Sequence, residues 1–397
     1  MKKSRFWSLL TLLIVSTALL VACGQTAATP APESQATEPV SAATTEPAGQ
    51  AVEPAEATTE PAGTAEEGTA ADFKFALVTP NPRGDRSFID ASARGVEQAN
   101  KELGLNGQII EATNVAEQET AIRAALAEGN DIILALAPDA ETLLAIAGEN
   151  PDQKFGVPSD IFVESLPDNV AAFQINVHEG SFLVGVAAGM LTKTKTVGAV
   201  VGGDSPGLNQ FFWAYKQGVL EVCPDCQVLV SYLSFDFGNP TLGKETALAQ
   251  YDQGADIIFQ IAGRSGEGVL SAAAETGNFA IGVDSNQDAI EPGNIIVSMM
   301  KRVDTSTFLL VKNTLEGNFK GGFQQISMAD GATGLSWDEG STVFEEKGPK
   351  DMVAKLPEVK AKVEEYRKKI LDGQFEVCDA LNGPDASACE GLAAGSS

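Results

Sequence analysis

The chain has 397 residues, 54 Asp+Glu against 27 Lys+Arg, one histidine and five cysteines, for a net charge of −27. So acidic a balance excludes nucleic acid and anionic membrane surfaces as partners, because both need a basic footprint. The lone His178 leaves little room for a His-rich metal site or a Ser-His-Asp triad, and no metal or cofactor is expected.

Lys2, Lys3 and Arg5 precede an apolar run from Leu9 to Leu20 that is too short for a comfortable membrane span. The run ends in Leu20-Val21-Ala22-Cys23, which resembles a bacterial lipoprotein signal. Residues 1–22 would be removed and Cys23 would carry the lipid; an ordinary signal peptide with an incidental cysteine is the alternative. From Gly24 to Asp72 the chain is almost wholly Ala, Thr, Pro, Glu, Gly, Ser and Gln, and Thr44-Thr45-Glu46-Pro47-Ala48-Gly49 recurs as Thr58-Thr59-Glu60-Pro61-Ala62-Gly63. With too little apolar surface to offset about 1–2 kcal/mol of ordering entropy per residue, segment 23–72 reads as a disordered tether or stalk. The other cysteines form two local pairs, Cys223/Cys226 and Cys378/Cys389, which in an exported chain suggest disulfides. Cys223-Pro224-Asp225-Cys226 has redox-motif spacing, yet between a helix and a strand it reads as a surface clip.

Past the tether, Phe73 to Thr79 forms a first apolar strand, and a helical pattern begins at Ser87-Phe88 and stops at Gly104. A strand over 108–111, a helix over 115–128, the apolar strand 132–136 and a helix over 139–149 follow. The alternation continues with strands 154–157 and 170–174, helix 179–192, strand 197–201, helix 207–221 and strand 227–233. Helix 242–253, strand 256–261, helix 266–276, strand 279–283 and strand 295–300 complete it. Short strands buried on both faces and separated by amphipathic helices define an α/β class with parallel sheets. About ten such units exceed one modest core, so two doubly wound lobes are expected. Helices over 350–355 and 359–371 and a cysteine-bounded tail close the chain.

Doubly wound sheets bind ligands outside the carboxyl ends of their strands, which singles out loops 80–88, 137–141, 202–212, 262–268 and 284–287. These loops carry neither Gly-x-Gly-x-x-Gly nor a P-loop, so dinucleotide and phosphate binding lose support. They offer aromatic faces at Phe88 and Phe211, a carboxylate at Asp284 ending one strand, and Lys301 ending another. Rings stack flat groups, while the charged pair can fix hydroxyls in an apolar cleft.

Ser87-Phe88, Ala249-Gln250-Tyr251-Asp252-Gln253-Gly254-Ala255-Asp256, Ile281-Gly282-Val283-Asp284-Ser285 and Ser298-Met299-Met300-Lys301-Arg302-Val303-Asp304 together resemble the basic membrane protein family. That family comprises substrate-binding lipoproteins of ABC importers and includes a purine nucleoside receptor. The resemblance, running from about residue 73 to 330, implies a type I periplasmic-binding-protein fold with a hinge of three crossovers. Lobe 1 would take about 73–176 and 299–324, lobe 2 about 177–298 and 325–375, and 376–397 would be a tail. It further implies a purine between Phe88 and Phe211, ribose contacts from Asp284 and Lys301, and backbone near the ligand at Gly263. Asp85 lies in the matching loop, where Arg83-Gly84-Asp85-Arg86-Ser87-Phe88-Ile89-Asp90 departs from the family by placing Ile89 at an amide position. In the third loop the acidic position falls on Asp139 or Glu141. The expectation is a non-enzymatic, monomeric, lipid-anchored receptor on the outer face of the cell membrane, delivering a purine nucleoside or similar molecule to an ABC permease. The alternatives are the same fold reading a sugar or a signal molecule for a chemoreceptor, and an envelope nucleosidase.

Overall fold

The computed structural model describes residues 72–159 and 161–392. The signal segment, Cys23 and the tether up to residue 71 lie outside the described residues.

The first run of elements is β1 (Phe75–Thr79), α1 (Phe88–Leu103), β2 (Gln108–Glu111), α2 (Val115–Ala127), β3 (Ile132–Ala135), α3 (Ala140–Glu149), β4 (Lys154–Val157) and β5 (Val170–Ile175). The second is α4 (Val177–Leu191), β6 (Thr196–Val201), α5 (Pro206–Val222), β7 (Gln227–Tyr232), α6 (Pro240–Asp252), β8 (Ile257–Ile261), α7 (Ser265–Thr276), β9 (Phe279–Asp284) and β10 (Ile295–Lys301). The chain then returns through α8 (Val303–Leu315), β11 (Gly322–Ile326), β12 (Thr333–Leu335), α9 (Val343–Lys347), α10 (Lys350–Val353) and α11 (Leu356–Leu371). Helix starts are set by short polar caps. Asn114, Asp139, Ser205 and Asn239 each accept from the backbone N–H three residues on, supplying a partner that the first helical turn lacks.

The strands form two six-stranded sheets, ordered β11-β5-β4-β3-β1-β2 and β12-β10-β9-β8-β6-β7. Every pairing is parallel except β10 with β12. β1, β3, β8, β9 and β10 are buried along their whole length, as helices covering both faces require. The chain passes between the sheets three times, after β5, after β10 and after β11. These crossings are bonded side by side: Asn176 N–H donates to Ile326 O at 2.9 Å, and Arg302 N–H donates to Ala332 O at 2.9 Å. Gln325 Nε2 donates to Asn176 Oδ1 at 2.8 Å, and Glu179 accepts from Met328 N–H at 2.7 Å. The result is the two-lobed α/β fold that the alternation predicts, with the hinge of three crossovers that the family resemblance implies.

The C-terminal segment completes the second lobe. Tyr366 of α11 and Phe375 pack on Phe182 of α4, with ring centroids 5.3 and 4.8 Å away. Disulfides join Cys223 to Cys226 and Cys378 to Cys389. The second bond closes a loop, and Cys389 together with Leu392 just beyond it packs with Trp213 and Leu220 of α5. Gln217 accepts from Cys378 N–H at 2.8 Å and Gln210 donates to Asp379 at 2.7 Å, so the tail is fastened along α5.

His178, at the start of α4 beside a crossing, is buried, and its Nδ1 has no hydrogen-bond partner among the described residues. Burial pushes its pKa below the ordinary 6.5, against the opposing pull of Asp379 and Glu179. The unfolded chain then binds more protons than the folded one just below 6.5, so stability falls as pH drops through that window. His178→Gln is expected to flatten this fall, read as the difference in Tm between variant and wild type from about pH 7.5 to 5. Parallel curves would show that His178 does not contribute.

Candidate functional site

One cavity of about 370 Å³ lies between the lobes, and its walls are the loops at the carboxyl ends of the strands. From the first lobe come Pro80 to Pro82 and Asp85 after β1, Ala137 after β3 and Phe162 after β4. From the second come Ser205, Gly207, Leu208 and Phe211 after β6, Phe235 and Phe237 after β7, Gly263 after β8, Asp284 at the end of β9 and Lys301 at the end of β10. Most of this lining is apolar, with a few charged groups set into it, as small-molecule sites require.

Asp284 and Lys301 end adjacent strands, paired in register as Met300 with Asp284. Both are almost fully buried. The Lys301 ammonium lies 4.8 Å from the centre of the Phe88 ring and 5.5 Å from that of Phe211, a cation–π arrangement with one ring from each lobe. Asp284 adopts a left-handed backbone, φ 64°, which short polar side chains tolerate better than others. Its carboxylate accepts from Ser87 Oγ at 2.5 Å, which joins the second lobe to the start of α1. Around it Gln287 Nε2 donates to Arg86 O at 3.1 Å and Arg94 donates to Ser285 Oγ at 2.9 Å, so this edge of the cleft is bridged by several polar contacts.

Asp85 reaches the cavity but is occupied locally. Its two oxygens accept from the backbone N–H groups of Ser87, Ile89 and Asp90, which fixes the first turn of α1 and thereby the aim of Phe88. Burial pushes its carboxyl above the usual range despite these three donors. Gly263 lines the cavity with φ 54°, a conformation that brings backbone to the wall at little steric cost. Asp139 and Glu141 are both exposed and stand outside the lining. Asp139 caps α3, where hydrogen bonding from Thr142 holds its carboxyl below the usual range. Ala137, two residues earlier and at φ 42°, takes the place in the wall.

Three cavity rings fall outside the loops singled out from the sequence: Phe162, Phe235 and Phe237. Each follows a strand, so applying the strand-end rule to β4 and β7 finds them. Phe235 and its neighbour Ser234 are both left-handed, φ 66° and 51°. For an aromatic residue this costs about 1–3 kcal/mol, and it holds a ring that remains 56% exposed at the cleft. The loop before α5 spells Gly203-Asp204-Ser205-Pro206-Gly207, the spacing of a hydrolase nucleophile elbow. The geometry is otherwise: Ser205 is extended (φ −148°, ψ 155°), its hydroxyl accepts from Leu208 N–H as a helix cap, and His178 is absent from the lining. Among the described residues no group of His, Cys, Asp or Glu converges to hold a metal ion.

Two hinged α/β lobes closing on a ring-lined cavity define a solute-binding protein. A family profile described as ABC transporter substrate-binding protein PnrA-like (Bmp) matches residues 73–368, and the chain belongs to that family. Among curated relatives, the CD4+ T-cell-stimulating antigen of Listeria innocua is 29% identical over 336 residues, covering 79% of this chain and 90% of that protein. Basic membrane protein D of Borreliella burgdorferi is 30% identical over 258 residues, 64% of this chain and 75% of its own. Among solved structures, an ABC-system solute-binding protein of Aeropyrum pernix K1 superposes with a TM-score of 0.68 at 27% identity, covering 77% of this chain and 93% of that one. One from Conexibacter woesei gives 0.60 at 20% identity, covering 78% and 99%, a likeness of fold alone.

Proposed function

We propose that the protein is an exported receptor, anchored through a lipid on Cys23, that captures a purine nucleoside for an ABC permease without altering it. One observation carries the ligand class: Asp284 and Lys301, at the ends of neighbouring strands, stand beside rings from both lobes in a single cavity. The rings supply faces for a flat base, with Phe88 from one lobe and Phe211 from the other. The loop with Phe235 and Phe237 offers further faces, since Phe211 itself is only 5% exposed. The carboxylate accepts from sugar hydroxyls and the ammonium donates to sugar oxygens. Each base–ring contact would contribute roughly 1–3 kcal/mol. The anchor is supported by the basic start, the short apolar run and Ala22-Cys23.

Calorimetric titration of the purified full chain with inosine, guanosine and adenosine tests the ligand. At least one is expected to bind with Kd below about 10 µM, and Phe88→Ala should weaken it about tenfold or more. Absence of binding to all three below millimolar concentration would overturn the nucleoside reading and leave the receptor class standing.

A further inference from the structure

Phe162 is half-exposed, on the first-lobe loop between β4 and β5, and it lines the cleft cavity. Its ring rests on the opposite lobe. A Cβ built on Gly207 would stand 2.4 Å from Phe162 Cζ and 2.8 Å from Cε2, so only glycine leaves the ring its seat. Gly207 follows Pro206 in the first turn of α5, where alanine would be the better helix former. An exposed aromatic ring on one lobe and a poor helix former on the other are thus two local disadvantages that meet in one contact. Separation of the lobes breaks that contact, and approach of the lobes makes it. Phe162 also borders a smaller cavity beside the crossing residues Asn176 and Gln325, so the ring stands between the cleft and the hinge.

We propose that Phe162 seated on Gly207 is an interlobe latch that holds the cleft closed and sets how long a bound solute stays. The inference rests on the solute-binding reading but not on the nucleoside. The latch forms after solute has entered, so it acts on the dissociation rate. The helix turn beneath it does not need the ring.

Stopped-flow binding to the full chain of whichever of inosine, guanosine and adenosine it takes up separates these effects. Phe162→Ala is expected to raise the dissociation rate about tenfold while the association rate changes less than about twofold. Gly207→Ala should do the same by displacing the ring, with Tm unchanged or higher because alanine favours the helix. The double variant should match either single one, since both remove one contact. Equal dissociation rates in wild type and both single variants, or additive effects in the double, would overturn the latch. Should wild type bind none of inosine, guanosine and adenosine, the nucleoside reading fails, and spin labels on Glu128→Cys, just past α2, and Asp252→Cys, at the end of α6, both exposed, read the lobe separation directly. Both latch variants are then expected to shift the distances longer; unchanged distances would overturn the latch.

Discussion

Asp284→Asn is expected to weaken solute binding by about 10–100-fold while the fold stays intact. The exchange isolates charge, because asparagine tolerates the left-handed backbone that residue 284 adopts at φ 64°. It also keeps an oxygen that can accept from Ser87 Oγ, so the bridge to α1 survives. What is lost is a charged acceptor in a water-poor cleft, and hydrogen bonds to charged groups contribute about 1.5–3 kcal/mol. Alanine at 284 is the harsher change, since it strains the backbone and strips Ser87 of a partner as well. Titration of the solute into both variants, with Tm as the control for folding, checks the order. Wild-type affinity in Asp284→Asn would remove this carboxylate from the binding site.

The second large effect concerns stability. Helices α4 and α5 cross with backbone against backbone. A Cβ on Gly185 would lie 2.2 Å from Tyr215 O, and one on Gly218 would lie 2.1 Å from Phe182 O. Carbonyl groups inside helices cannot turn away as a side-chain tip can, so a branched residue must force the helices apart. Gly218→Val is expected to cost about 3 kcal/mol, lowering Tm by about 6–12 °C for a lobe of this size. The damage reaches the cleft, because α5 carries both Gly207 and Phe211 at its other end. Thermal melts of Gly218→Val beside Gly218→Ala measure it. A Tm within about 2 °C of wild type for the valine variant would show that the pair is more yielding than its geometry implies.

The legible elements share a physical cause. β1, β3, β8, β9 and β10 are covered by helices on both faces, so each reads as a short, unbroken apolar run. β11, Gly-Phe-Gln-Gln-Ile, is an edge strand only partly buried, and no such run marks it. α8 buries Ser306, Thr307 and Thr314 beside Val303, Leu310 and Val311, which breaks the apolar stripe that would announce a helix. In the site, Asp284 and Lys301 were legible because a charged residue closing an apolar strand sits where such sheets bind ligands. Phe162 and Phe235 were not, since an exposed ring in an irregular loop has no periodicity to betray its partner. Nor does sequence spacing decide between Asp139 and Glu141. The structure uses the first as a helix cap and leaves the second exposed, while Ala137 reaches the wall.

The acidic, histidine-poor composition and the run of twice-covered strands determined by themselves the class of fold and the ends of the sheets at which a ligand would lie. These are local properties, set by how each segment must bury its apolar side chains. Only the tertiary structure decided which loops converge: Lys301 over Phe88 and Phe211, Asp284 against Ser87, and Phe162 on Gly207. Those meetings join residues from 45 to more than 200 positions apart. They depend on how two lobes, crossed three times by one chain, are set against each other, and no local pattern encodes that.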